Sequence, residues 1–191
     1  SVRVVGQWLS GGGSSTSQPI LDAVAVMNFG DVLLLEAQTS FAGYVKVPVE
    51  IEPAVFDVIR LATALGVVVV EAGGNGSVDL DTVSVSGELV FNRASADFKD
   101  SGAIIVGAGS STAPHTRLGF SCFGSRIDCY GWGENVDTLS SDNSNVATNL
   151  YTTGFNGTSS ASPIVTGAAL AVQGLAQAAL GSRFGAWQLR Q

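Results

Sequence analysis

The run "GVVVVEAGGNG", residues 66–76, limits the fold more than any other stretch of the chain. Four consecutive valines cannot alternate between a wet and a dry face. They predict a strand covered on both sides, as in a parallel sheet carrying helices on each face. The surrounding sequence supplies such helices. Val55, Val58, Ile59, Ala62 and Leu65 fall close to helical spacing after Pro53, and Gly66 closes that segment. Upstream, Ser17 reads as an N-cap and Pro19 suits a first turn. That helix is expected to run through "ILDAVAVMNF" to Gly30. "DVLLLEA" at 31–37 and "AIIVGAG" at 103–109 read as two more buried strands, and "VRVVG" at 2–6 as a further short one. "TSFAGYVKVPVEI" reads as an inserted loop or hairpin. The pattern predicts an α/β domain with a mainly parallel sheet and helices on both faces. Chemistry in such folds belongs on loops at the carboxyl ends of the strands.

Composition narrows the class. At 191 residues, 46% apolar and 13% charged, the chain fits one domain with a real core, and no linker or internal repeat divides it. A net charge of -7, with lysine only at Lys46 and Lys99, argues against nucleic acid and anionic lipid as partners. No apolar run reads as a membrane span, and no segment as a signal peptide. Acidity with little lysine suits a secreted protein. The opening "SVRVV" looks like a strand already under way, and the closing "AWQLRQ" like a helix cut short. Both ends read as the inside of something longer.

Cys122 and Cys129 leave two readings open. One is a local disulfide in an oxidising compartment; the other is a pair of free, partly buried thiols. With His115 the only histidine, a zinc site lacks ligands. Asp79, Asp81, Asp97 and Asp100 crowd one segment, where a structural calcium is a weaker reading than a solvated acidic loop.

"FNGTSSASPIVTGAALAVQG", residues 155–174, places small polar residues at the mouth of an apolar helix expected to be buried all round. First-turn N–H groups and the helix dipole favour negative charge beside Ser159. Gly157, Ala161 and Ser162 leave room for a substrate backbone, and Pro163 suits the helix start. "NGTSSASP" resembles the serine motif of the subtilisin-like serine peptidases, G-T-S-x-A-x-P. The resemblance makes Ser159 the nucleophile. "VVVVEAGGNG" is similar to the strand that leads to the family's oxyanion-hole asparagine, a role that falls on Asn75. "GDVLLLEAQ" resembles the strand lining one side of the family's cleft. "DSGAIIVGAG" and "GFSCFGSRIDCYGWGENV" resemble later segments in family order. The implied substrate cleft comprises Glu36, Ala37, Gln38, Glu71, Ala72 and Gly73. Glu36 and Glu71 leave two readings open: carboxylates solvated at the ends of adjacent strands, or pocket charges favouring basic or polar substrate side chains.

The family's Asp and His motifs, which precede the serine in chain order, have no counterpart here. His115 lies where the family has a variable surface loop. The related sedolisin-like peptidases share a similar serine motif but place Asp at the oxyanion position, so Asn75 speaks against them. The resemblance implies the C-terminal portion of a subtilisin-like peptidase domain spanning residues 1–191. N-terminal strands and the C-terminal end lie elsewhere, and the isolated chain is expected to be inactive. The implied substrate is a protein or peptide, without a cofactor for the chemistry. The strand carrying the Asp would fit between 2–5 and 31–37. Its absence predicts a gap that another segment fills, that the sheet avoids by closing differently, or that self-association covers. The alternative is a pseudo-peptidase or peptide-binding scaffold.

Overall fold

The computed structural model describes residues 2–6, 16–142, 147 and 149–191. Val68–Ala72 form β4, every residue of it buried. β4 lies between β1 (Val32–Leu35) and β5 (Ile104–Gly109), and β6 (Cys129–Trp132) follows, giving the order β1-β4-β5-β6. All three pairings are parallel, with Val32 opposite Val68, Val70 opposite Ile104 and Val106 opposite Cys129.

The valine run divides between two cores. Val67 and Val69 pack with Ile20, Val55, Ile59 and Ala62 beneath α1 (Ser17–Val24) and α2 (Pro53–Ala64). Val68 and Val70 pack with Ile104, Val106 and Ala161 beneath α3 (Thr158–Leu180). Each fully buried valine stabilises by about 1.5–3 kcal/mol, so these four residues do much to specify the register. The expected α/β class, with a parallel sheet and helices on both faces, is what the chain adopts. Two hairpins flank the sheet: β2 (Gln38–Phe41) with β3 (Tyr44–Pro48), and β7 (Val136–Ser140) with β8 (Leu150–Phe155). A short α4 (Ala186–Arg190) ends the fold.

Four expectations need correction. Residues 2–6 form no strand, and Val2 and Val4 are each 92% exposed. α1 takes in Ser17, with Thr16 at the cap position, and stops at Val24 rather than at Gly30. Beyond it, Asn28 N–H donates to the Asp31 carboxylate at 2.9 Å, and Gly30 turns left-handed to start β1. α3 is not buried all round. Ala161, Ser162, Ala169, Gln173 and Ala176 face inward, while Leu170, Leu175 and Leu180 are more than half exposed. The sheet covers only one side of this helix. α3 is also, by length and composition alone, sufficient to cross a bilayer, contrary to the sequence reading, although its inner stripe packs on the sheet.

β1 is an edge strand: among the described residues it pairs only with β4. α3 runs back along the sheet, starting near the carboxyl ends of the strands. Near its far end the Gln173 amide donates to Gly30 O at 2.9 Å and Phe184 O at 2.7 Å, and its Oε1 accepts from Phe184 N–H at 2.8 Å. A buried amide with both ends satisfied fixes how the helix lies on the sheet.

Candidate active site

Asn75 and Ser159, 84 positions apart, meet at the carboxyl end of the sheet. Asn75 Oδ1 accepts from Thr158 N–H at 2.9 Å and from Thr158 Oγ1 at 3.0 Å. Thr158 Oγ1 in turn accepts from Gly74 N–H at 3.1 Å. Asn75 N–H donates to Gln38 Oε1 at 3.0 Å. These bonds orient the amide, because an oxygen facing the Thr158 N–H leaves Nδ2 on the other side. That nitrogen makes no hydrogen bond to another described residue. A Cβ placed on Gly157 would stand 3.2 Å from both Asn75 Nδ2 and Ser159 Oγ. The two polar atoms therefore flank one glycine, whose φ of 116° excludes other residues without strain.

Three serines and a threonine at this helix start have separate fates. Thr158 braces Asn75. Ser160 Oγ donates to Gly157 O at 2.8 Å and lies 3.3 Å from Trp132 O. Ser162 is fully buried, and its hydroxyl has no partner. Of the four, Ser159 is the one that is partly open and whose hydroxyl bonds no described residue. Its N–H belongs to the first turn, where helix donors lack intrahelical partners. Pro163 sits in the second turn rather than the first, so the Ser159 carbonyl loses its usual acceptor bond as well. The arrangement sets one hydroxyl beside an oriented amide and an unpaired backbone donor, which suits negative charge developing on an oxygen held between them.

The other expected residues are distributed unevenly. Glu36, Ala37 and Gln38 follow β1, and Gln38 touches Asn75 directly. Burial pushes the Glu36 carboxyl above its ordinary value. Ala72 and Gly73 are buried at the end of β4. Glu71 is wholly enclosed, with Oε1 accepting from Glu50 N–H at 3.1 Å, so no substrate side chain reaches it in this structure. Alternation along β4 turns it toward the α2 side, away from α3. His115 stacks on Trp132 with ring centroids 6.3 Å apart, and its Nδ1 lies 2.9 Å from Ser110 O; it makes no hydrogen bond to Ser159.

Cys122 and Cys129 are free thiols, so of the two open readings the disulfide is not found. They belong to different cores. Asp81 accepts from Ser125 N–H at 3.0 Å, Asp79 from Asp81 N–H at 3.1 Å, and Asp100 pairs with Arg190 at 2.6 Å. Among the described residues, no group of three or more acidic, histidine or cysteine side chains converges on a metal-sized space.

Sequence reasoning missed the ionic group behind Glu71. Arg126 is fully buried and donates to Glu50 at 2.8 Å, Asp128 at 2.8 Å and Ala103 O at 3.2 Å. Ser101 Oγ also bonds Glu50. Burial, reinforced by the charge of Glu50, holds the Glu71 carboxyl well above the ordinary range. Nothing in the spacing of residues 50, 71 and 126 signals their meeting. A separate cavity of about 490 Å³, lined in part by Phe56, Val90, Phe91 and Phe98, includes neither Ser159 nor Asn75.

The parallel sheet, the helix whose first turn carries Ser159 and the braced Asn75 define a class of α/β protein with a serine at the helix mouth. The subtilase family model matches residues 14–187, and the chain belongs to that family. Solved structures agree in fold. A cold-adapted subtilisin-like serine proteinase superposes with a TM-score of 0.57 and 21% identity, over 94% of this chain and 54% of that one. The prenylagaramide maturation protease gives 0.60 and 21%, over 91% and 53%. The patellamide maturation protease gives 0.56 and 21%, over 92% and 54%. The chain thus spans about half the length of these structures. No curated protein matches it.

Proposed function

We propose that this chain carries the nucleophile and oxyanion-holding part of a serine endopeptidase acting on proteins or peptides. The observation that supports it most is the Asn75 amide, anchored through Oδ1 on Thr158 with its nitrogen free beside the Ser159 hydroxyl. In this reading Ser159 Oγ attacks the substrate carbonyl and a histidine outside these residues takes its proton. The oxyanion is held by Asn75 Nδ2–H and the Ser159 N–H. Collapse breaks the C–N bond, the departing amine receives the proton, and water then releases the acyl group from Ser159. No cofactor enters the chemistry, and the protein acts outside the cell.

The histidine and its orienting carboxylate come from sequence beyond residues 1–191, and the chain alone is inactive. Among the described residues one edge of β1 is unpaired and the outer side of α3 uncovered, and both support the same reading, because another segment would cover them. The test is labelling of the full-length protein with a fluorophosphonate probe. The reading expects one adduct, on Ser159, that disappears in Ser159→Ala. A full-length protein lacking Asp and His motifs and left unlabelled would instead be a peptide-binding pseudo-peptidase.

A further inference from the structure

We infer that Glu36 forms a cation-selecting subsite of the cleft, holding a guanidinium or ammonium side chain of the bound peptide beside Ser159. The inference rests on the cleft proposed above but does not need that cleft to be catalytic.

Placement comes from the sheet. Leu33, Leu35 and Ala37 belong to the core under α1 and α2, whereas Val32 and Leu34 belong to the core under α3. Alternation carried one step further puts Glu36 on the α3 face. Leu35 pairs with Glu71, so Glu36 is level with Ala72, three residues before Asn75. α3 begins at this same end of the sheet, where Thr158 Oγ1 accepts from Gly74 N–H at 3.1 Å. Glu36 therefore stands at the carboxyl end of the edge strand, on the face and at the level of the first turn that carries Ser159.

Its chemistry is unusual for the chain. Three other acidic groups near the sheet have cationic partners: Asp31 has Arg183, Glu50 has Arg126, and Asp128 has Arg93, Arg126 and Arg190. Glu71 has no ion pair to a described residue but accepts from Glu50 N–H inside the core. Glu36 has no hydrogen bond or ion pair to any described residue. It is exposed at the strand end, yet crowded enough that burial already disfavours its charge. A partly desolvated carboxylate without a protein partner gains most from a cation brought by a ligand. Since Glu71 is sealed behind β4, Glu36 alone of the two strand-end glutamates can do this.

The test is peptide binding, read by calorimetry on the full-length protein carrying Ser159→Ala. The peptides form a series of octamers with a single arginine at successive positions, each paired with its citrulline counterpart. Citrulline keeps the shape and removes the charge. At one position arginine should bind about tenfold tighter than citrulline. Glu36→Gln should close that gap, and Glu36→Asp should keep part of it. Equal binding of every pair, a gap that survives Glu36→Gln, or no binding by the arginine series at millimolar peptide would each overturn the inference. Fluorophosphonate labelling of the wild type, run in parallel, reports on the peptidase reading alone.

Discussion

Asn75 Oδ1 accepts two hydrogen bonds from one residue, Thr158, through its N–H at 2.9 Å and its hydroxyl at 3.0 Å. The donor end of the amide is thereby aimed before any substrate arrives. Preorganisation of this kind stabilises charge that appears only in the transition state. Asn75→Ala in the full-length protein should lower kcat by about 10²–10³ with little change in KM, the loss found when subtilisin itself is stripped of such a donor. It should also cost about 1–3 kcal/mol of stability, because the Thr158 donors lose their acceptor. Steady-state kinetics with denaturant titration check both. Unchanged kcat would remove Asn75 from the chemistry.

Gly157→Ala should damage the same site from another direction. The added methyl would sit 3.2 Å from both Asn75 Nδ2 and Ser159 Oγ, on a backbone whose φ is 116°. Strain in that region costs about 1–3 kcal/mol. The variant should melt lower and react more slowly with the fluorophosphonate, with the slowing larger than the fraction unfolded explains. A labelling rate equal to wild type would show that the gap between the two groups is not needed.

How much of this was legible depends on the kind of residue. Val67–Val70 disclose a doubly covered strand because a continuous apolar run admits few other folds. Ser159 and Asn75 were legible only through their resemblance to family motifs; nothing in their spacing brings them together. Arg126 was invisible, since a lone arginine reads as surface and its partner Glu50 lies 76 positions away. Glu71 misled for the same reason: a charged residue at a strand end is expected in water, and only the cluster around it shows why it is not. The outer side of α3 is the opposite case. Its composition is that of a buried helix, and what would cover it is not among the described residues.

That side of α3 separates two forms of the protein. Leu175 is 71% exposed and Leu170 54% exposed. In the isolated 191-residue chain these leucines face water, so Leu170→Glu with Leu175→Glu should reduce dye binding and self-association, with little loss of stability. In the full-length protein the same pair should cost about 2 kcal/mol or more for each charge buried without a partner. Light scattering of the chain and thermal melts of the whole protein give the comparison. Equal melting of wild type and variant in the full-length protein would mean the face stays bare.

The last prediction concerns pH. Glu71 is fully buried, with one oxygen on Glu50 N–H and the other without a partner. Burial and the neighbouring Glu50 charge raise its pKa well above the ordinary 4.5. The folded state therefore holds this proton more tightly than the unfolded chain. Its contribution to stability is complete below the unfolded value and is lost as pH rises from there toward the folded value, at up to about 1.4 kcal/mol per pH unit. Glu71→Gln keeps the shape and cannot ionise. Denaturant titrations from pH 4 upward should show wild type losing stability relative to Glu71→Gln, with the gap widening as pH rises and levelling above the folded pKa. Arg126→Met removes the cation buried with Glu50 and should cost about 3–5 kcal/mol near neutral pH, because it leaves a buried charge without its partner. A constant difference between wild type and Glu71→Gln across the range would mean that Glu71 ionises as easily folded as unfolded, and that its burial is matched by partners other than the proton.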